Sequence, residues 1–275
     1  VMKYEGKPLG VIADACNTFA GYTQFRSRVE IDGVSFEDVE IRKKGGLGSL
    51  SSVRPSIKLD LGDGNLNDGR EFRGHRRITL NNNHQDPSNV EQCLAYSIFT
   101  AAGIKAPKCN LARVFVQGVD RGIYTHVENI KKPFLARTFG DDSGNLYVGD
   151  DSDFNTALIE TFQKKTNELE NDRSDLNAVL TALESDDDTL WNNLDQVINM
   201  KAFLTYIAVE ALIGHTDSYS ASQGNFYLYN NPEDNRFYFI PWGVDQTFQT
   251  KVVSTGVSSP NESIYLRSEL THRIW

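Results

Sequence analysis

Apolar and polar residues alternate through residues 26–43 and the alternation breaks at Asp32-Gly33. Period-two alternation on both sides of an Asp-Gly pair predicts a β-hairpin, with Val29 and Ile31 on one arm and Phe36, Val39 and Ile41 on the other. SIKLDL at 56–61 predicts another strand, and ITLNNN at 78–83 a strand that runs into a polar loop. Asp86 and Pro87 then supply a helix N-cap and a first helical residue. The expected helix runs to Ala102 with Val90, Leu94 and Ile98 as its apolar stripe, and Gly103 stops it. Two more strands, Leu111 to Gln117 and Gly122 to Glu128, are joined through Gly118-Val119-Asp120-Arg121.

After Phe139 the pattern changes. Residues 140–199 are rich in Asp, Glu, Asn and Ser with intermittent helical spacing (Leu158, Ile159 and Phe162, then Leu176, Val179, Leu180 and Leu183), which predicts short, exposed helices. The acidic clusters Asp150 to Asp153 and Asp186 to Asp188 read as solvated loops and helix starts. Asn199 caps the strongest helix, in which Met200, Phe203, Leu204, Ile207, Ala211 and Leu212 recur at near-helical spacing. That helix delivers His215 and Asp217 at its end. Phe226 to Tyr229 and Phe237 to Ile240 follow as two strands joined through Asn231-Pro232-Glu233-Asp234. A β-rich first part with one helix, then a mainly helical second part, predicts an α+β protein of two lobes, residues 1–130 and 131–275.

The 275 residues carry 28 basic against 37 acidic side chains, a net charge of −9. That balance disfavours nucleic acid or an anionic membrane as the main partner. No apolar run reaches the roughly 20 residues needed to span a bilayer. The best, Ala202 to Ile213, contains Thr205 and Glu210. No export signal is visible at the start, although a chain opening on Val1 leaves room for a removed upstream piece. Cys16, Cys93 and Cys109 lack metal-ligand spacing; the last two read as small core residues, and an odd count offers no disulfide framework. GDGNLNDG at 62–69 imitates a calcium loop but places Asp68 where glycine is required and Gly74 where the final glutamate belongs, so it reads as a surface turn.

Candidate chemistry concentrates in two places. A turn holding Gly45, Gly46 and Gly48 with Ser49, Ser51 and Ser52 lets backbone approach a phosphate chain, and Lys58 on the next strand supplies a point charge. Glu91 on the first helix could orient that lysine, and Arg77 is a second phosphate contact. Downstream, Asp217, Asn225 and Asp245 put two carboxylates and an amide at the ends of one hairpin, the groups that hold divalent cations on phosphates and leave one acid to orient a nucleophile. His215 reads as structural. No G-x-S-x-G, H-E-x-x-H or Cys/His pairing points to other chemistry.

The runs FRGHRRITLNNNHQDPSNVEQCLAYSIFTAAGIKAPKCNLARVFVQG, GIYTHVENI, GNLYVGD and NFYLYNNPEDNRFYFIPWGVDQTF, in that order, resemble the spore coat protein H (CotH) kinase family, as does the earlier VEIDGVSFEDVEIRKKGGLGSLSSVRPSIKLDL. The resemblance covers about residues 26–250. It implies an atypical protein-kinase-like fold and transfer of the γ-phosphate of ATP, with Mg²⁺ or Mn²⁺, to Ser or Thr of spore-coat or secreted proteins. Under it Lys58 matches the nucleotide-binding lysine, Asp217 the catalytic-loop aspartate, and Asn225 and Asp245 the metal-holding positions. Glu91 lies on the helix that bears the lysine's partner, and Glu128 in GIYTHVENI joins the nucleotide set. Two positions depart from the family: His215 replaces an Asn two residues before the catalytic Asp, and Gly243 stands where P-W-D-x-D has its first acid. The second departure keeps open a nucleotide-binding pseudokinase or coat-assembly protein. A carboxylate-metal phosphate-ester hydrolase, which has no use for the Gly/Ser turn, is a more distant alternative.

Overall fold

The computed structural model describes residues 24–45, 49–51, 53–62, 69–170, 172–248 and 266–275. The chain folds as two compact units, Val1–Val90 with Lys108–Asn129, and Glu91–Pro107 with Ile130–Trp275. The first helix, expected in the β-rich lobe, therefore groups with the second unit.

The first unit is a six-stranded antiparallel sheet, in spatial order β1-β2-β3-β4-β6-β5. Its strands are β1 (Phe25–Ile31), β2 (Val34–Lys43), β3 (Ile57–Asp60), β4 (Arg77–Asn81), β5 (Cys109–Val116) and β6 (Val119–Val127). The β1–β2 turn is Asp32-Gly33, at φ 48° and 82°, the left-handed pair whose twist suits a two-residue hairpin. Phe36, Val39 and Ile41 all point inward although the first two are three residues apart. The register explains this: Ser27 pairs with Val39 and Val29 with Phe36, so β2 carries one extra residue, and Asp38 takes φ 56° to absorb it. Between β5 and β6 the turn is tighter than expected, Gln117-Gly118 at φ 53° and 76°. Ile57 and Leu59 join Ile41, Ile78, Leu80 and Tyr124 in the core, so strand alternation sends Lys58 to the other face, beside its cross-strand neighbours Arg42 and Thr79. A cavity of about 170 Å³ opens on the core side, lined by Ile41, Lys43, Pro55, Ile57, Arg121 and Tyr124. It lies on the face away from Lys58.

The second unit has a four-stranded sheet in order β10-β9-β7-β8, from β7 (Leu146–Gly149), β8 (Gln163–Lys164), β9 (Phe226–Asn231) and β10 (Arg236–Pro241). Around it are α1 (Glu91–Ala101), α2 (Lys132–Phe139), α3 (Ser174–Leu183), α4 (Asp187–Val197), α5 (Met200–Leu212), α6 (Tyr219–Ser222) and α7 (Glu269–Ile274). Two strands, β7 and β8, thus occupy a region that composition marked as helical and exposed, and Ile159–Thr161 form a 3₁₀ turn. Helix α1 starts at Glu91 rather than Pro87. Its expected stripe is out of phase: Val90 and Leu94 are each 48% exposed, while Gln92, Ala95, Tyr96 and Phe99 are buried. Phe99 packs on Tyr206 of α5 at 5.5 Å between ring centroids, and that neighbour decides which face turns in.

Helix α5 is capped as expected, with the Asn199 side chain accepting from Ala202 N–H at 3.0 Å. Its buried face is Met200, Phe203, Tyr206, Val209 and Glu210, whereas Leu204 and Leu212 face solvent. Phe203, Tyr206 and Phe239 meet Tyr219 and Phe226 in a cluster of fully or nearly fully buried rings, Tyr219 standing 4.7 Å from Phe226 and 4.9 Å from Phe239. Cys93 and Cys109 are both disulfide-bonded, which corrects their reading as reduced core residues. Cys16 lies outside the described residues. Among the described residues no helix is long and apolar enough to cross a membrane.

Candidate active site

The segment after α5 is shaped by its ends. Helix α5 closes with Gly214 at φ 66°; Gly214 N–H donates to Ala211 O and His215 N–H to the Glu210 carbonyl at 2.9 Å. This turns the chain sharply so that Tyr219, four residues on, drops into the aromatic core. Asp217 lies between these two anchors. It precedes the short α6 as well as following α5, which relieves the electrostatic objection to an acid past a helix C-terminus.

Asp217 and Asn225 are brought together. Asn225 Nδ2 donates to Asp217 Oδ2 at 2.5 Å and to the Asp217 carbonyl at 2.9 Å, and Ser222 Oγ donates to Oδ1 at 3.3 Å. Asn225 sits at φ 53°, a conformation Asn tolerates, and its carbonyl accepts from Trp242 N–H at 3.2 Å just beyond the Pro241–Phe226 pair. Burial raises the Asp217 pKa; Ser222 and Asn225 oppose this, and the charges of Asp150 and Asp151 add to it. Asp150, exposed at its surface yet partly desolvated and raised further by Asp151, adds negative charge beside Asp217. The Asp150–Asp153 cluster is not simply solvated, since Asp153 is wholly buried. Its carboxylate accepts from Tyr219 OH at 2.9 Å, Gln223 Nε2 at 2.6 Å and Glu269 N–H at 2.7 Å, tying α6 and α7 together. GNLYVGD ends on Asp150, the one sequence signal that could have flagged it.

Gly243 follows Trp242 at φ 56°. A Cβ built there would fall well inside van der Waals contact with the Asn225 side-chain amide. A side chain at 243 would be strained by the backbone and would push on the Asn225 amide, which occupies the room an acid there would need. His215 and Tyr96 both bear on the Gly243 backbone, and the charge of Asp245, after burial itself, holds the Tyr96 hydroxyl neutral far above its usual range. Asp245 is half-buried.

His215 is fully buried and neutral, its pKa pushed down to about 4 by burial, with partial relief from the Gly243 backbone. Glu210 is fully buried with its pKa pushed up to about 7 by burial, against relief from Ser220, Tyr206 and Ser218. These two act oppositely on stability. A histidine depressed from 6.5 to about 4 contributes about 3 kcal/mol that is present above pH 6.5 and lost as pH falls toward 4. A glutamate raised from 4.5 to about 7 contributes a similar amount below pH 4.5 that is lost as pH rises through 7. Between these limits the slopes cancel. The Glu210→Gln variant is expected to show the histidine limb alone, its melting temperature falling as pH drops from 6.5 to 4 while that of the wild type holds nearly level. Melting both proteins across that range checks it, and parallel curves would remove the assignment.

In the first unit, Gly45 takes φ 83° and Ser51 Oγ accepts from Val53 and Arg54 N–H at 3.3 and 3.2 Å, which shapes the turn with Ser49 at its start. Gly46, Gly48 and Ser52 lie outside the described residues, as does most of GDGNLNDG. Arg77 is held by Asp60 at 2.8 Å, and Arg76 by the other oxygen of Asp60 at 2.9 Å, so Arg77 is already engaged. Glu128 is buried and its carboxylate accepts from Lys108 N–H at 2.9 Å, closing the β5–β6 end of the sheet. Glu91 opens α1, in the second unit.

By architecture this is an α+β protein with one β-rich and one mainly helical unit. It belongs to the CotH kinase family: the profile described as CotH kinase protein matches residues 41–275. Among curated proteins it is 26% identical over 216 residues to the inner spore coat protein H of Bacillus subtilis (strain 168), covering 74% of this chain and 59% of that protein. It is 24% identical over 232 residues to the invasin CotH2 of Rhizopus delemar, covering 78% of this chain and 38% of the invasin. The chain thus spans well under two thirds of the length of both relatives. The proinflammatory kinase CtkA of Helicobacter pylori aligns over 76% of this chain and 58% of its own, with 11% identity and a TM-score of 0.35, a loose likeness.

Proposed function

We propose that this chain is a metal-dependent ATP:protein phosphotransferase of the CotH type. The observation that carries the proposal is the Asp217–Asn225 pair at the mouth of the β9–β10 hairpin. There an acid is held in place as a hydrogen-bond acceptor, with Asp245 following β10 at the same open end of the hairpin. Asp217 accepts the hydrogen bond of a Ser or Thr hydroxyl and aligns it for in-line attack on the γ-phosphate. Asn225 and Asp245 hold the cation. Their donors fit Mg²⁺ or Mn²⁺: all are hard oxygens, and because the Asn225 nitrogen is committed to Asp217, its oxygen is the atom left to coordinate. Among the described residues no group of three or more His, Cys, Asp or Glu is placed to hold a metal ion; with one or two protein ligands, Mg²⁺ would be held jointly with the substrate's phosphates. When bound, the cation neutralises charge on the phosphates.

On the nucleotide side, Lys58 takes the α- and β-phosphates, and the turn of Gly45, Gly46, Gly48, Ser49 and Ser51 covers them. Glu91, Arg77 and Glu128 serve as supporting groups. Acceptors are Ser or Thr side chains of spore-coat or secreted proteins, with the chain's own residues among them. An extracytoplasmic or spore-coat setting agrees with the disulfide-bonded Cys93 and Cys109, because disulfides persist where the environment oxidises. It also follows the names of the Bacillus and Rhizopus relatives.

Asp245→Ala is expected to weaken Mg²⁺- or Mn²⁺-dependent ATP binding by at least the roughly 10–100-fold that loss of an outer metal partner costs. Calorimetric titration of nucleotide with and without the cation reads this. Unchanged cation dependence would remove Asp245 from the metal site. A nucleotide-binding protein without transfer is the second reading, and Gly243 favours it, since one acid fewer leaves the cation less neutralised. Radiolabel transfer from ATP to a Ser-rich peptide separates the two: binding with no label supports the second.

A further inference from the structure

Glu210 is the buried charge that the mechanism above leaves unused. Helix α5 carries it two residues before its end, fully buried. Oε2 accepts from Ser220 N–H at 3.3 Å and, more closely, from Ser220 Oγ. The Tyr206 and Ser218 hydroxyls also act on the carboxyl, yet neither Oε1 nor the Tyr206 oxygen completes a well-formed hydrogen bond. A carboxyl in such surroundings costs stability, and an apolar side chain of similar volume would pack there at less cost. Packing therefore does not account for it.

Its contacts do. The Glu210 backbone carbonyl accepts from His215 N–H, and its side chain accepts from Ser220. One residue of a long, well-packed helix thus grips both ends of the segment 215–220, with Asp217 between them. Asp153 and the packed Tyr219 ring also hold the C-terminal end of this segment, so it stays folded when the Glu210 side chain is cut back, while the exact placing of Asp217 is lost.

We propose that Glu210 is a positioning residue for Asp217, fixing the 215–220 turn so that the Asp217 carboxylate meets the acceptor hydroxyl in line. This rests on the reading of Asp217 as the group that orients the hydroxyl. Glu210 touches neither substrate nor nucleotide in this role. A glutamine retains an oxygen for both Ser220 donors, whereas alanine retains none.

The test uses the full chain as wild type, Glu210→Ala, Glu210→Gln and Ser220→Ala. Transfer kinetics are measured with ATP and peptide, together with hydrogen exchange at the Ser220 amide. In Glu210→Ala, kcat is expected to fall about 100-fold, the loss that a misplacement near 1 Å brings, with KM for ATP unchanged. Ser220 N–H should exchange at least about 10-fold faster, since a hydrogen bond to a carboxyl is gone. Glu210→Gln should restore most of kcat and the slow exchange, and Ser220→Ala should fall between. Loss of kcat in the alanine and glutamine variants alike, with KM rising in parallel, would reduce Glu210 to a fold-stability residue and overturn the proposal. So would unchanged kcat in Glu210→Ala. If the wild type itself transfers no phosphate, the kinase reading fails separately. Exchange at Ser220 then decides alone, accelerated in Glu210→Ala if the side chain holds the turn and unaltered if it does not.

Discussion

Asp217→Asn is expected to lower phosphate transfer by about 10²–10⁴-fold while leaving ATP affinity close to that of the wild type. The substitution preserves shape and keeps an oxygen for Asn225 Nδ2, while Ser222 Oγ, which reaches the other oxygen, can turn to accept from the new amide, so the turn survives. What it removes is the negative charge that, in the proposed mechanism, accepts the hydroxyl proton's hydrogen bond. That charge is costly to hold, because burial and the neighbouring Asp150 and Asp151 all favour the neutral acid, and only the two donors offset them. Transfer of labelled phosphate, measured beside nucleotide binding on the same preparations, checks the prediction. Equal transfer by wild type and Asp217→Asn would exclude Asp217 from the mechanism, and a parallel loss of ATP binding would make it a nucleotide ligand instead.

Gly243→Asp, which restores the acid of the family's P-W-D-x-D pattern, should damage the protein rather than improve it. At φ 56° any side chain adds strain of about 1–2 kcal/mol, although Asp bears it better than most. A Cβ there also invades the Asn225 amide, so Asn225 must leave and its hydrogen bonds to Asp217 are lost, adding about 1–3 kcal/mol. The melting temperature is expected to fall by about 5 °C or more, and transfer should fall with it as Asp217 loses its anchor. A rise in activity without loss of stability would show that Asn225 has another place to go. The paired variant Gly243→Asp with Asn225→Gly should recover part of the stability by vacating the space.

The two departures from the family pattern differ in how far the sequence explains them. His215 reads as structural from its place in a loop after a helix, and the buried, neutral imidazole agrees. Gly243 is visible as a missing acid, but its cause lies in the Asn225 amide, eighteen residues away along the chain. Asp150 and Glu210 were unmarked, one inside an acidic run that composition assigns to solvent, the other inside a helix where a glutamate is unremarkable. Glu210 becomes notable only through burial, and Asp150, which is exposed, only because its charge acts on Asp217.

Local order was legible wherever adjacent residues decide it. Asp32-Gly33 specifies a left-handed two-residue turn by backbone sterics, Asn199 caps α5 with its own side chain, and alternation along β2 and β3 puts Ile57 and Leu59 on one face and Lys58 on the other. The meeting of Asp217 and Asn225 beside the β9–β10 hairpin could likewise be read from order and spacing. What escaped was everything set by a distant neighbour. The buried face of α1 is chosen by Tyr206 on α5 and not by its own stripe of Val90, Leu94 and Ile98. Strand β7 forms because β9 offers it an edge and β8 because β7 does, and the bonded state of Cys93 and Cys109 follows from where folding brings their sulfurs. Short-range sterics and hydrogen bonding act within a few residues and so are written in sequence. Burial, ring packing and the displacement of one side chain by another depend on which surfaces meet, and only the folded chain decides that.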